Sequence, residues 1–306
     1  MAGVVMKKFA VLINPSSAGG KSLSTWPQYQ AALEAQGYKI TKHISVSESD
    51  FRETAKHFAK RFHAIGICGG DSSLTIAAEV LAACGFSGHL VFLPAGSVND
   101  IILDIREKQS TGTKSAWLGE LLSGNESKKF LGQANWGLGV VVNRWVGKLL
   151  STLPILRPMT NLLGFLCIVT AHLLKREMVT GRISTGNSEL SGQWSILIVS
   201  QIRYWASGLD FFPKASYYAP ELEIIAVERA GLFTLIRIIM AAKTGKHLQF
   251  PQVKSLRGKS ALVEFTKAHA AQIDGDILRT NGAEFVSTEF KISKRRARFR
   301  LTSLSP

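Results

Sequence analysis

Short apolar runs alternate with amphipathic stretches through the first hundred residues. Phe9-Ala-Val-Leu-Ile13 stops at Asn14-Pro15, as a buried strand does. Residues 24–36 have helical spacing and end at Gly37, and residues 39–46 read as a second strand. Between 50 and 62, Phe51, Ala55, Phe58, Ala59 and Phe62 share one helical face, and Ser47-x-x-Asp50 supplies a cap. Residues 65–68 predict a third strand, 73–83 a helix and 90–93 a fourth strand. Strand and helix in regular alternation is the pattern of a parallel sheet covered on both faces.

Past residue 107 the pattern changes. Residues 107–129 hold two polar stretches around a short helix, and a domain boundary is expected there. Residues 1–125 form one domain and 126–306 a second, with the C-terminal strand able to return to the first. Apolar alternation predicts strands at 194–201, 222–228, 261–266 and 284–300 without regular helices between them. Apolar helical insertions are expected near 145–174 and 231–243. In the first, Leu162, Leu163, Phe165, Leu166, Ile168, Val169, Leu173 and Leu174 surround the helix almost completely. Such a helix is buried in a core, or it lines a lipid pocket or membrane-facing mouth. Its apolar run falls short of the ~18–20 residues that span a bilayer.

In open parallel sheets, ligands bind beyond the carboxyl ends of the strands. Three segments leave those ends here: Asn14-Pro-Ser-Ser-Ala-Gly-Gly-Lys21, Gly69-Gly-Asp-Ser-Ser73 and Pro94-Ala-Gly-Ser-Val-Asn-Asp100. Glycine lets a backbone approach a phosphate, and amides at a helix start bind anions. The fold class is therefore α/β: an N-terminal parallel-sheet nucleotide-binding domain, then a mostly β second domain with apolar helical insertions. Gly19-Gly-Lys-Ser22 is not a Walker A loop, because that pattern requires glycine at position 15, where this chain has Pro15. No GxSxG elbow or HExxH pattern occurs.

Taken in order, the three loops resemble the signature of the diacylglycerol kinase catalytic domain. That superfamily includes bacterial lipid kinases and sphingosine kinases and is distantly related to NAD kinases. Gln272-Ile-Asp-Gly-Asp276 is similar to its late DGE element, and residues 207–215 to its glycine-rich strand ending in a Pro-x-Ala turn. The resemblance implies ATP-dependent phosphorylation of a lipid hydroxyl. ATP, with its magnesium, would be held by Asn14, Ser17, Ser45, Gly69, Gly70, Asp71, Ser72, Ser73 and Ser97. Asp276 stands at the family's proton acceptor, and Asp71 at the phosphates or the acceptor hydroxyl.

The chain departs from that pattern at four places. The family's GGDG reads GGDS, ending in Ser72. If the position requires φ > 0, serine costs of order 1 kcal/mol and glycine would relieve it. If it does not, the hydroxyl is free to donate to a phosphate. Asp276 is one methylene shorter than the usual glutamate. Ala219-Pro220 stands where the family has Asp-Gly, whose aspartate helps hold a structural magnesium, so that metal site is expected to be lost. A triple glycine is eroded to Ala206-Ser207-Gly208. These changes leave open a catalytically weakened or inactive homologue that still binds nucleotide or lipid. A NAD kinase-like enzyme acting on a soluble substrate is a third reading.

Charge and cysteine usage narrow the partners. With 37 Lys and Arg against 22 Asp and Glu, the formal net charge is +15, which suits anionic partners. The stretch Lys294-Arg-Arg-Ala-Arg-Phe-Arg300 concentrates five cations. Its plainer reading is a solvated strand face, its sharper one a contact with an anionic membrane surface. No recognition module accompanies the charge, so nucleic acid is not an expected partner. Cys68, Cys84 and Cys167 have neither disulfide nor metal-ligand spacing. The expectation is a cytoplasmic protein without a signal peptide, meeting its lipid peripherally at the inner membrane face.

Overall fold

The computed structural model describes residues 7–96, 100–109, 116–123, 126–174, 178–186, 188–277, 285–292, 297 and 299–304. The first domain runs β1 (Lys7–Ile13), α1 (Lys21–Ala35), β2 (Tyr38–Ile44), α2 (Glu48–Arg61), β3 (Ala64–Gly69), α3 (Asp71–Ala83), β4 (His89–Pro94) and α4 (Asp100–Gln109). Its strands are parallel, and both faces of the sheet are covered. Phe9, Val11 and Ile13 pack with Trp26, Tyr29 and Leu33 of α1 on one face. Ala10 and Leu12 pack on the other, with Phe51, Ala55 and Phe58 of α2 and Leu74 and Leu81 of α3. Burying each of the larger side chains contributes roughly 1.5–3 kcal/mol, which favours an unbroken apolar run over alternation in doubly covered strands. The expected cap on α2 forms, with Asp50 N–H donating to Ser47 Oγ over 3.1 Å.

The second domain comprises β5 (Gly119–Ser123), β6 (Glu126–Phe130), β7 (Gln133–Gly137), α5 (Leu138–Thr152), α6 (Thr160–Leu173), β8 (Val179–Thr185) and β9 (Ser188–Ser200). There follow β10 (Tyr204–Trp205), β11 (Leu209–Asp210), β12 (Leu222–Glu228), α7 (Leu232–Ala241), β13 (Val253–Gly258) and β14 (Ser260–His269). The short β15 (Gln272–Ile273) and β16 (Asp276–Ile277) precede β17 (Phe285–Ile292) and β18 (Arg300–Ser303). Apart from the β10–β11 ribbon and β18, these strands form one antiparallel sheet in which β9 pairs with β7, β8 and β12. Trp194, Leu197 and Val199 of β9 enter one core, while Ile196 and Ile198 enter another beneath α5, α6 and α7.

The stretch expected as a single strand over 284–300 is two. β17 stays in the second sheet, against β14 and β5. β18 crosses back and adds to the edge of the first sheet, parallel to β4. Ala297, Phe299 and Leu301 are buried in the first domain's core, and Arg300 is exposed. This part of the basic tail is a structural seam. Lys294, Arg295, Arg296 and Arg298 lie outside the described residues.

Candidate active site

The loops after β1, β3 and β4 meet at the amino end of α3. Asn14 Nδ2 donates to Ser73 Oγ over 2.9 Å, and Gly70 N–H donates to Ser17 Oγ over 3.2 Å. These bonds hold the loops together and leave the first amides of α3 without intrahelical partners, as at any helix start. Gly69 is required by close approach: a Cβ there would lie 2.8 Å from Ser73 Cβ. Gly70 is extended, with φ −97° and ψ −176°, and a Cβ there would make ordinary contact, 3.5 Å from Gly96 Cα. Ser45 is buried, its hydroxyl donating to Ile13 O over 3.2 Å. Ser97 lies outside the described residues.

Ser72 sits in the first turn of α3 and is not among the residues with positive φ. The left-handed cost considered for serine there does not arise. Its hydroxyl donates to Asp274 O over 2.9 Å, joining α3 to the turn between β15 and β16. The same hydroxyl lies close enough to the Asp276 carboxyl to favour its charged form. Asp276 is exposed at that turn. The protein around it pushes its carboxyl above the ordinary value, opposed by the Ser72 hydroxyl and Lys128. On the far side, Asn143 Nδ2 of α5 donates to Gly275 O over 3.0 Å.

Asp71 faces inward. One carboxylate oxygen accepts from Asp100 N–H at 3.0 Å and Ile101 N–H at 3.5 Å, capping α4. The other is buried with no hydrogen-bond partner among the described residues. Burial, then the nearby Asp100 and Asp274 carboxylates, push the Asp71 pKa well above the carboxylate range.

Two further aspartates hold this arrangement, and their roles were not evident from sequence. Asp274, at φ 44°, is fully enclosed. Its carboxylate accepts from Thr75 Oγ1 at 2.6 Å, Leu131 N–H at 2.8 Å, Gly132 N–H at 3.0 Å and Gln133 N–H at 2.6 Å. One side chain thus fastens α3, the β6–β7 connection and the Asp276 turn. Asp100 accepts from Gly208 N–H at 2.9 Å and from the amides of Ser207 and Ala206. Those three residues keep left-handed φ values of 50°, 69° and 98° although two are no longer glycine. They form a concave nest of amides around a carboxylate. Burial raises Asp100 to about 6 against that bonding. The nest is braced by Arg203, bidentate to Asp210 at 2.7 and 2.8 Å and also paired with Glu107 of α4. The signal for Asp274 was its place as the other acid of the Asp-Gly-Asp turn; for Asp100, its place at the start of a helix.

Residues 8–133 match the family model "Diacylglycerol kinase catalytic domain" and residues 155–288 the "YegS C-terminal NAD kinase beta sandwich-like domain". Residues 8–133 form a diacylglycerol kinase catalytic domain. It is similar to a diacylglycerol kinase of Staphylococcus haemolyticus, 23% identical over 89% of this chain and 83% of that one. A diacylglycerol kinase of Mycobacterium tuberculosis is 23% identical over 84% of this chain and 85% of the relative. The crystal structure of a diacylglycerol kinase from Bacillus anthracis has the same fold, with a TM-score of 0.62 at 15% identity and 97% of each chain covered. Among the described residues, no helix is long and apolar enough to cross a membrane.

Proposed function

We propose that the chain transfers the terminal phosphoryl group of ATP to the hydroxyl of a diacylglycerol-like lipid alcohol, at the cytoplasmic face of a membrane. One observation carries the reading: Ser72 ties the glycine loop at the start of α3 to the turn that presents Asp276. An anion-binding backbone and a solvent-reaching carboxyl are thereby adjacent. The residues fit a nucleotide. Gly70 brings no side chain to the junction, the first amides of α3 lack intrahelical partners, and Asn14, Ser17 and Ser73 line the same junction. The Asp71 carboxyl oxygen that has no partner among the described residues fits the magnesium that accompanies ATP. ATP would supply the phosphoryl group and magnesium would neutralise its charge.

Asp276 is the residue to accept the proton of the lipid hydroxyl. Its carboxyl reaches solvent, whereas one oxygen of Asp71 is engaged in capping α4. Its raised pKa brings it nearer the working range of a general base. Both curated relatives described above are named diacylglycerol kinases, which supports a lipid acceptor.

The test is incubation with radiolabelled ATP, magnesium and a mixed lipid extract, followed by phase separation. Label in the organic phase is expected. Label in a dinucleotide would replace the lipid with a soluble acceptor. Nucleotide binding with no label in any acceptor would mean an inactive homologue.

A further inference from the structure

Helices α5, α6 and α7 lie side by side over one face of the second sheet, with α6 packed against both neighbours. Their inner surfaces are ordinary core: Leu138, Ala171, Leu235 and Ile238 are buried with Ile196 and Ile198. Their outer surfaces are also apolar. Leu162, Phe165, Leu166 and Leu173 of α6 are exposed. Ile155, in the connection from α5 to α6, is 84% exposed, and Phe233 at the start of α7 is 75% exposed. The helix that is apolar all round is therefore half core and half surface. Single exposed apolar residues are ordinary, but a contiguous set on adjoining helices marks an interaction surface.

Charge decides what covers it. Residues 138–174 and 231–250 contain no Asp or Glu, but they carry Arg144, Lys148, Arg157, Arg237, Lys243 and Lys246. All of these except Arg157, whose side chain is not described, are exposed. The Arg237 guanidinium lies 5.9 Å from the centre of the exposed Phe233 ring. Exposed apolar side chains on helices whose charged residues are all cations are the chemistry of helices that lie in the interface of an anionic bilayer. A two-fold contact with a second copy would set this cationic surface against itself.

We propose that the α5–α6–α7 face docks on the surface of a bilayer containing anionic lipid, with Ile155, Phe233 and the outer side of α6 entering the boundary between headgroups and acyl chains. The contact adjoins the candidate site, because Asn143 of α5 holds the carbonyl of Gly275 beside Asp276. The proposal rests on the lipid-kinase reading only for the purpose it gives the docking. The surface itself is argued from exposure and charge. It places membrane contact on the helical layer; in the C-terminal tail the apolar residues Ala297, Phe299 and Leu301 are committed to the first core.

The experiment is sedimentation of the full chain, without ATP, with phosphatidylcholine vesicles that contain or lack phosphatidylglycerol. Wild type is expected to bind the anionic vesicles and to be released by salt. The double variant Ile155→Ser/Phe233→Ser, altered at two exposed positions and therefore unchanged in thermal melting, is expected to bind them at least about tenfold more weakly, since two apolar side chains no longer enter the lipid. Lys148→Glu/Lys243→Glu is expected to lose the preference for phosphatidylglycerol. Equal binding by wild type and the serine variant would overturn the proposal. So would equal binding of wild type to both vesicle types, or a dimer of wild type that the serine variant abolishes. A chain that docks as described yet labels no lipid keeps this surface and defeats the kinase reading.

Discussion

Ser72 Oγ donates to the main-chain oxygen of Asp274 over 2.9 Å, across 202 residues of sequence. The bond joins the glycine loop at the start of α3 in one domain to the turn that carries Asp276 in the other. It gives the serine a place where the family pattern has glycine. Ser72→Gly is therefore not expected to relieve the loop, because Ser72 is helical in the first place. It removes a hydrogen bond worth about 1 kcal/mol and adds glycine's helix cost. Ser72→Gly and Ser72→Ala should both lower the denaturation midpoint, glycine more. A higher midpoint for Ser72→Gly would mean the serine is strained after all.

Asp274 carries more of the structure. Asp274→Ala would leave the Thr75 hydroxyl and the amides of Leu131, Gly132 and Gln133 buried without their acceptor. Breaking such a network costs roughly 3–5 kcal/mol. Asp274→Asn keeps an acceptor oxygen and tolerates the left-handed φ of 44°, so it should lose less. Chemical denaturation of the two variants against wild type checks the order.

Ala206 and Ser207 hold φ values of 50° and 69° that glycine adopts freely. Ala206→Gly and Ser207→Gly should each stabilise the chain by about 0.5–1 kcal/mol, the reverse of the usual penalty at such positions. Gly208→Ala should destabilise it, since φ is 98° and a Cβ would lie 3.1 Å from Leu103 Cδ1. Melting curves of the three single variants read this directly.

What the sequence disclosed and what it hid have physical causes. Doubly covered strands such as Phe9-Ala-Val-Leu-Ile13 are apolar throughout, so the first sheet stood out. The tail from 284 to 300 alternates too, but alternation says which side chains are buried, not in which sheet. The return of the C-terminal strand to the first domain was open from the sequence, but the alternation around Phe299 did not show where the chain leaves the second sheet. Asp71 and Asp276 were visible because they belong to spaced motifs. The partners of Asp274 are mostly backbone amides, which have no sequence signature. The nest at 206–208 was obscured because its conformation outlasts its glycines, held by the Asp100 carboxylate.

Asp100 should set a measurable pH dependence. Its pKa is about 6 in the folded chain against an ordinary 3.8. Between those values the folded state binds more protons than the unfolded one, so this group's contribution to stability is greatest below the window and declines as pH rises through it. The change corresponds to at most roughly 3 kcal/mol. Asp100→Asn cannot ionise, so its stability relative to wild type should rise from pH 4 to pH 7. A constant difference across that range would show that Asp100 titrates normally.

The last prediction concerns the proton acceptor. If Asp276 takes the proton from the lipid hydroxyl, Asp276→Asn should lower turnover by about 10² or more, the contribution of a positioned general base. Nucleotide affinity should hardly change, because Asp276 stands on the far turn, away from the loop junction of Asn14, Ser17 and Ser73 proposed to hold the phosphates. Asp276→Glu restores one methylene of reach. Because Asp276 is exposed, the longer side chain has room, and turnover should rise. The Ser72 bond to Asp274 O holds the turn that carries Asp276 and so couples the two positions, so adding Ser72→Ala to Asp276→Glu should give less than the product of the single effects. Single-turnover assays with a short-chain diacylglycerol in micelles separate chemistry from vesicle binding. Wild-type turnover in Asp276→Asn would transfer the role to Asp71, whose buried oxygen, without a partner among the described residues, is the other carboxyl oxygen at the loop.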